Sequence, residues 1–212
     1  MNGPLTLLER GTRVALGMAT TVVLSSAVVA MLRGLGRAAG RTTGSLAIVN
    51  APALVGGSVA FVAGGWALWR PLPVPERPIL RWLGLVVGAR LLLGGLVLYH
   101  LGRQTLGPMY QASSGLGVRL YADHRLVTTG IYAAIRHPMY AGVVLGCLGA
   151  LLLYRTWATV AALVLIPAVV LRARREDTAL EAEFGSAWRA YRASVPGWFP
   201  TLPAHATQRG HP

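Results

Sequence analysis

The sequence predicts an all-α integral membrane protein of about five transmembrane helices, with a C-terminal helical hairpin followed by a cytoplasmic amphipathic helix. Three observations carry that reading. Of the 212 residues, 54% are hydrophobic and only 13% charged, with a mean hydropathy of +0.52, far from the balance of a soluble domain with one core. Five separate apolar runs approach or reach the length that crosses a ~30 Å hydrocarbon layer. All 20 basic residues are arginine, and they fall mainly in the short segments between those runs. The net charge of +13 therefore follows membrane topology and does not form the single basic face of a nucleic-acid binder. The absence of lysine, with abundant Ala, Gly, Leu and Val, fits the codon bias of a GC-rich bacterial genome.

The runs span approximately residues 14–32, 46–69, 79–101, 139–154 and 157–171. The first is too long for the core of a signal peptide and has no clear cleavage site, so it reads as a span. The fourth and fifth are joined only by Arg155-Thr156, which predicts a tight antiparallel hairpin. Gly84 with Gly88, and Gly142 with Gly146 and Gly149, recur every three or four residues, where one helix face admits a close backbone neighbour. Arg90 is the one charge deep within a run; it either extends to an interface or faces an internal polar cavity.

Thirteen arginines lie in the 33–45 loop, the 102–138 segment and the chain after Leu171, against six in the N-terminal segment, the 70–81 loop and Arg155. The positive-inside rule makes the first group cytoplasmic and the N-terminus external. The expected organisation is N-terminal transmembrane helices over 1–101, a core with the hairpin and binding segments over 102–200, and a disordered tail over 201–212. Cys147 stands alone in an apolar run, which excludes an intrachain disulfide. His100, His205 and His211 lack ligand-like spacing, so no metal is expected.

The chemistry concentrates at the mouth of the hairpin. In the segment from Gly130 to Gly142, Arg136-His137-Pro138 and two tyrosines, Tyr132 and Tyr140, abut an apolar run. A charge deep in a bilayer costs roughly 2.5–3.5 kcal/mol on insertion scales, so such a cluster marks a site. After Leu171 a helix continues out of the membrane, with Leu180, Phe184, Ala187, Trp188 and Tyr191 forming an apolar stripe. Gly185 ends that helix and Ser186 caps the next.

Only seven residues are acidic, and two of them are adjacent at Glu176-Asp177. Arg172, Glu176 and Leu180 are spaced by four and share the inward face, whereas Glu181 and Glu183 read as solvated. Arg172 and Glu176 have two readings, an ion pair on one helix face or a binding pair. In the second, the arginine holds a carboxylate through two hydrogen bonds and the glutamate accepts from ribose hydroxyls.

These elements together carry a specific resemblance. Leu126-Val127-Thr128-Thr129-Gly130-Ile131-Tyr132, Arg136-His137-Pro138-Met139-Tyr140-Ala141-Gly142, the hairpin, Arg172-x-x-x-Glu176-Asp177-x-x-Leu180-x-x-x-Phe184-Gly185, Tyr191 and Val195-Pro196 follow in order. From His124 onward the chain resembles the isoprenylcysteine carboxyl methyltransferase family and the related phospholipid methyltransferases. The resemblance implies an integral-membrane methyltransferase that uses S-adenosylmethionine and acts on a lipophilic isoprenoid or lipid-like acceptor. It places the family's cofactor contacts on His124, Arg125, Leu126, Val127, Tyr132, His137, Pro138, Met139, Tyr140 and Glu176. The catalytic, substrate-binding arginine becomes Arg172. Asp177 stands where the family often has a second glutamate, and Gly117 where some members offer a polar side chain.

The residue types suit that chemistry. An already activated methyl sulfonium needs alignment and water exclusion more than a protein nucleophile. For a carboxylate acceptor Arg172 orients the anion; for an amine or hydroxyl an acid or a water must take a proton, with His137 as a base or as a hydrogen-bonding anchor. The expected partners are a lipophilic small molecule and membrane lipid, in a bacterial inner membrane with the site facing the cytoplasm. Three alternatives stay open: an NADPH-dependent reductase of the sterol-reductase type, a different isoprenoid reaction on the same scaffold, and a non-catalytic membrane assembly factor.

Overall fold

The computed structural model describes residues 4–34, 37, 39–43, 51–75, 77–110 and 118–199. Gly117, the first residues of the 46–69 run and the 201–212 tail lie outside them. Among the described residues every apolar run is helical. Helix α1 (Pro4–Gly34) is followed by strand β1 (Ala39–Thr43) and helix α2 (Ala51–Ala67). Helices α3 (Pro78–Leu83) and α4 (Ala89–Leu106) are continuous through a π-helical turn, Gly84–Gly88. Strand β2 (Val118–Tyr121), a 3₁₀ turn at Gly130–Ala133, and helices α5 (Pro138–Tyr154), α6 (Trp157–Val164), α7 (Ile166–Phe184) and α8 (Ser186–Ser194) complete the chain.

Three helical stretches, Pro4–Gly34, Pro78–Met109 and Trp157–Phe184, are long and apolar enough to cross a membrane, and Val55–Ala67 and Pro138–Tyr154 are shorter apolar helices. Their outer faces carry Val14, Met18, Val59, Phe61, Val62 and Trp66, all exposed. So much apolar surface is unfavourable in water and suits a hydrocarbon surround. The protein is an all-α membrane protein, with one small β-ribbon outside that description. Arg90 lies on the exposed side of α4, so of its two readings the outward one holds.

Helices α4 and α5 approach backbone to backbone. A Cβ added to Gly95 would lie 2.5 Å from both the Gly142 carbonyl oxygen and the Gly146 amide nitrogen, and one on Gly142 would lie 2.6 Å from the Gly95 oxygen. Gly88 and Gly149 meet in the same way further along, and Gly84 backs onto the Leu152 carbonyl. Without a hydrophobic force between helices in lipid, such close van der Waals packing is what joins them.

The hairpin turn is made by Arg155, in the left-handed region at φ 55°, and by Thr156, which caps α6 in a reciprocal pair with Thr159. The fifth run is not one helix. It breaks at Leu165, because Pro167 has no amide hydrogen to give and its ring crowds the carbonyl four residues earlier. Helix α7 then carries the chain from the apolar zone to the functional end. At Gly185 the backbone turns to φ 53°, and this glycine itself precedes α8, with Ser186 already inside the first turn and making no cap bond. The expected Ser186 cap is therefore replaced by Gly185.

The ribbon was not foreseen. β1 and β2 pair antiparallel, Ala39 opposite Tyr121 and Thr43 opposite Val118, with an irregularity between Ala39 and Thr42. Val118 and Leu120 enter a core with Ala179, Leu180, Trp188, Tyr191 and Val195, flanked by Leu126 and Phe184. The predicted stripe of α7 and α8 thus packs on the ribbon, except that Ala187 is exposed.

At the other end of the bundle Glu9 is buried among three arginines. Its carboxylate accepts from Arg13 at 2.6 Å, Arg81 at 2.7 Å and Arg155 at 2.6 Å, joining α1, α3 and the hairpin turn.

Candidate functional site

The Arg136-His137-Pro138 segment is shaped by its position. Pro138 occupies the first turn of α5, where its missing N–H costs nothing, and the His137 carbonyl accepts from the Ala141 amide. The two residues before it have amides with no helical partner. Their amides donate instead to the carbonyls of Pro196 and Gly197, each at 2.9 Å, and Arg136 Nε donates to the Val195 carbonyl at 3.0 Å. The C-terminal segment therefore closes over the mouth of the hairpin.

The adjacent acids of α7 diverge. Asp177 faces the loop, with Oδ2 3.2 Å from Arg136 Nη1 and Oδ1 2.9 Å from His137 Nε2. His137 is 4% exposed, ringed by Tyr140 and Trp198, and Glu176 stands 4.0 Å from its other ring nitrogen. Such a histidine is anchored rather than free to swing. Replacing Asp177 with alanine should cost about 2 kcal/mol, the worth of a buried hydrogen bond to a charged group. Chemical denaturation should show that loss, and an unchanged midpoint would refute the anchoring role.

Glu176 turns into a cavity of about 280 Å³ whose lining also includes Arg172, Tyr132, Tyr140, His124 and Trp188. Arg172 Nε donates to the Tyr140 hydroxyl at 3.0 Å, and that hydroxyl donates onward to the Glu176 carboxylate. A cation and an anion one helical turn apart are thus coupled through a phenol from α5. Tyr132 is buried, its carbonyl accepting from Tyr191 at 2.7 Å. Burial, and then the charge of Glu176, push the Tyr132 hydroxyl pKa up, so it remains a neutral donor. Burial likewise raises Tyr191 to about 12.

Two polar atoms on this lining are buried without a hydrogen-bond partner: His124 Nδ1 and Trp188 Nε1. Orphaned polar atoms of this kind call for a ligand or water. Burial lowers the pKa of His124 below its ordinary 6.5, against the opposing charges of Glu176 and Asp123. The folded chain then binds fewer protons than the unfolded one below that value. Stability is full above about pH 6.5 and falls as the pH drops from there towards the lowered value. Thermal melts between pH 5 and 8 should show this slope, and His124→Gln should flatten it; an identical slope in the variant would contradict the assignment.

Of the residues foreseen for the cofactor, His124, Leu126, Val127, Tyr132, His137, Met139, Tyr140 and Glu176 line this one cavity, as does Arg172. Arg125 and Pro138 do not. Arg125 is exposed, and its amide donates to the Met109 sulfur at 3.3 Å, so its backbone holds a lining residue. Pro138 is fully buried behind Gly102, where an added Cβ would lie 3.2 Å from its ring. The lining also includes Arg136, of the cluster that marked the site, and Met31, Tyr99, Met109, Tyr110, Trp188 and Tyr191, which were not assigned to the site from sequence. Trp188 was visible only as a member of an apolar stripe, and Tyr191 as a member of that stripe and of the resemblance.

Residues 83–187 match the family model described as phospholipid methyltransferase. The chain is also similar to a protein-S-isoprenylcysteine O-methyltransferase of Schizosaccharomyces pombe, with 37% identity over 83 residues. That alignment covers 38% of this chain and 35% of the yeast protein, so the chain matches about a third of its relative's length.

Proposed function

We propose, from the match of residues 83–187 to the phospholipid methyltransferase family and the similarity to an isoprenylcysteine O-methyltransferase, that the chain is an integral-membrane enzyme that methylates a lipophilic acceptor from S-adenosylmethionine. The observation that carries this reading is the meeting of Arg172 and Glu176 at the Tyr140 hydroxyl inside one cavity. A carboxylate there suits ribose hydroxyls, and an arginine suits an acceptor anion. The residues present fit the cofactor: a carboxylate, two orphaned polar atoms, and apolar walls from Leu126, Val127 and Met139.

When bound, S-adenosylmethionine supplies a methyl group already activated by its sulfonium. What remains for the protein is to bind, orient and exclude water. Glu176 holds the donor, with His124 and Trp188 offering hydrogen bonds where they now have none. Arg172, fixed by Tyr140, orients an isoprenoid or lipid-like carboxylate. Such an acceptor carries no proton to remove, so the site requires no base. His137, tied to Asp177 and to the C-terminal segment, positions the loop. Met31, Tyr99 and Met109 line the same cavity and offer an apolar lodging for the acceptor's chain. The arginine distribution supports an orientation with this end in the cytoplasm, where S-adenosylmethionine is available.

Binding of S-adenosylmethionine to the detergent-purified protein, with NADPH in parallel, tests the reading. Saturable S-adenosylmethionine binding that Glu176→Ala removes is the expected result. Binding of NADPH instead would replace the methyltransferase with a reductase.

A further inference from the structure

The charged end of the bundle opposite the site is left without a role by methyl transfer. Helix α5, running between the two ends, separates them by about 25 Å at 1.5 Å per residue. Glu9 there faces Arg13, Arg81 and Arg155 at 2.6–2.7 Å, one negative charge against three positive. Arg10 lies beside this cluster, exposed, and makes no hydrogen bond or ion pair among the described residues. The excess is positive on the face that the overall arginine distribution makes external, where such charge is normally scarce.

Arg10 and Arg13 also stand at the head of an open groove of about 890 Å³ along α1. Its walls descend through Val14, Met18 and Val22 on α1 to Trp69 and Tyr154 opposite, whose rings tilt against each other at 5.3 Å. The three α1 side chains are 61%, 65% and 68% exposed. Gly17 gives the groove its depth, since a Cβ there would already stand 3.4 Å from the Tyr154 hydroxyl. A phosphate-sized anion would satisfy the top of this groove, and only an attached hydrocarbon chain would cover the rest. Amphipathic rings at the junction of the two zones mark the headgroup level of a bilayer.

We propose that this groove binds an anionic phospholipid, its phosphate between Arg10 and Arg13 and an acyl chain along Val14, Met18 and Val22. The lipid is structural rather than the methyl acceptor, because it sits at the far end of α5 from Arg172. By joining its phosphate to the cluster it balances the arginines that Glu9 leaves in excess. Basic pockets between membrane helices take acidic headgroups on the same principle.

Native mass spectrometry of the full chain, titrated with phosphatidylglycerol and with phosphatidylcholine of identical acyl chains, tests the proposal. Phosphatidylglycerol should be retained preferentially. Arg10→Gln should reduce its retention about fivefold, the worth of one basic residue near an anionic lipid, and reduce that of phosphatidylcholine, whose choline offsets its phosphate, much less. Arg10 takes no part in the Glu9 cluster, so the variant should fold. Met18→Trp, which fills the groove, should weaken both lipids. Arg77→Gln removes the same charge outside the groove and should change nothing. Equal retention of the two lipids, or an equal effect of Arg77→Gln and Arg10→Gln, would overturn the site. Displacement of phosphatidylglycerol by millimolar inorganic phosphate would show a small-anion site and overturn its assignment to a lipid.

Discussion

Glu176→Ala is expected to weaken S-adenosylmethionine binding roughly a hundredfold, about 3 kcal/mol for the loss of charge-assisted hydrogen bonds. Arg172→Ala should leave that affinity within about threefold and lower kcat/KM for a carboxylate acceptor by roughly two to three orders of magnitude, as removal of an orienting group does. Calorimetric binding and initial rates on the two purified variants separate these outcomes. The prediction is sharp because the two side chains touch one hydroxyl group, that of Tyr140. If both were merely an ion pair on a helix, either substitution would produce the same small change in stability and neither would distinguish donor from acceptor. Full activity in both variants would remove the site from this cavity.

Gly95→Leu is expected to abolish the folded protein. Its first side-chain atom would fall 2.5 Å from two backbone atoms of α5, and backbone cannot yield as a side-chain tip can. The helices would have to separate along their closest seam, with a cost of at least ~3 kcal/mol. Gly94→Leu provides the control, since a Cβ at Gly94 meets nothing within 4 Å. Size-exclusion profiles in detergent should show a monodisperse peak for Gly94→Leu and aggregate for Gly95→Leu. A monodisperse Gly95→Leu protein would mean that the seam is not what holds α4 to α5.

Much of this architecture is legible in the amino-acid order because membranes impose simple requirements. Long apolar runs in a bilayer must be helical, and the described residues of all five are, the fifth as two helices broken at Leu165. The four-residue spacing of Arg172, Glu176 and Leu180 fixes a shared face before any partner is known, and all three line the cavity. Periodicity identifies a face, however, and not what lies opposite. Glu176 and Asp177 look equivalent as neighbours, yet 100° of helical rotation sends one to the cavity and the other to Arg136 and His137. The Glu9 cluster unites residues up to 146 positions apart, and the ribbon pairs two short segments on either side of three helices. Neither leaves a local pattern. Pro167 was a readable sign of the break at Leu165, overshadowed by the hydropathy of the surrounding run.

The bonds from Arg136 and His137 to Pro196 and Gly197 also set an order of events during synthesis. All five spans are synthesised, and the first four can be clear of the ribosome, before the segment that fastens the loop has been made. Insertion and competence are therefore separate stages. A chain halted before Pro196 would have the same membrane helices and an unlatched entrance, matching the longer chain in topology but unable to hold its loop in place.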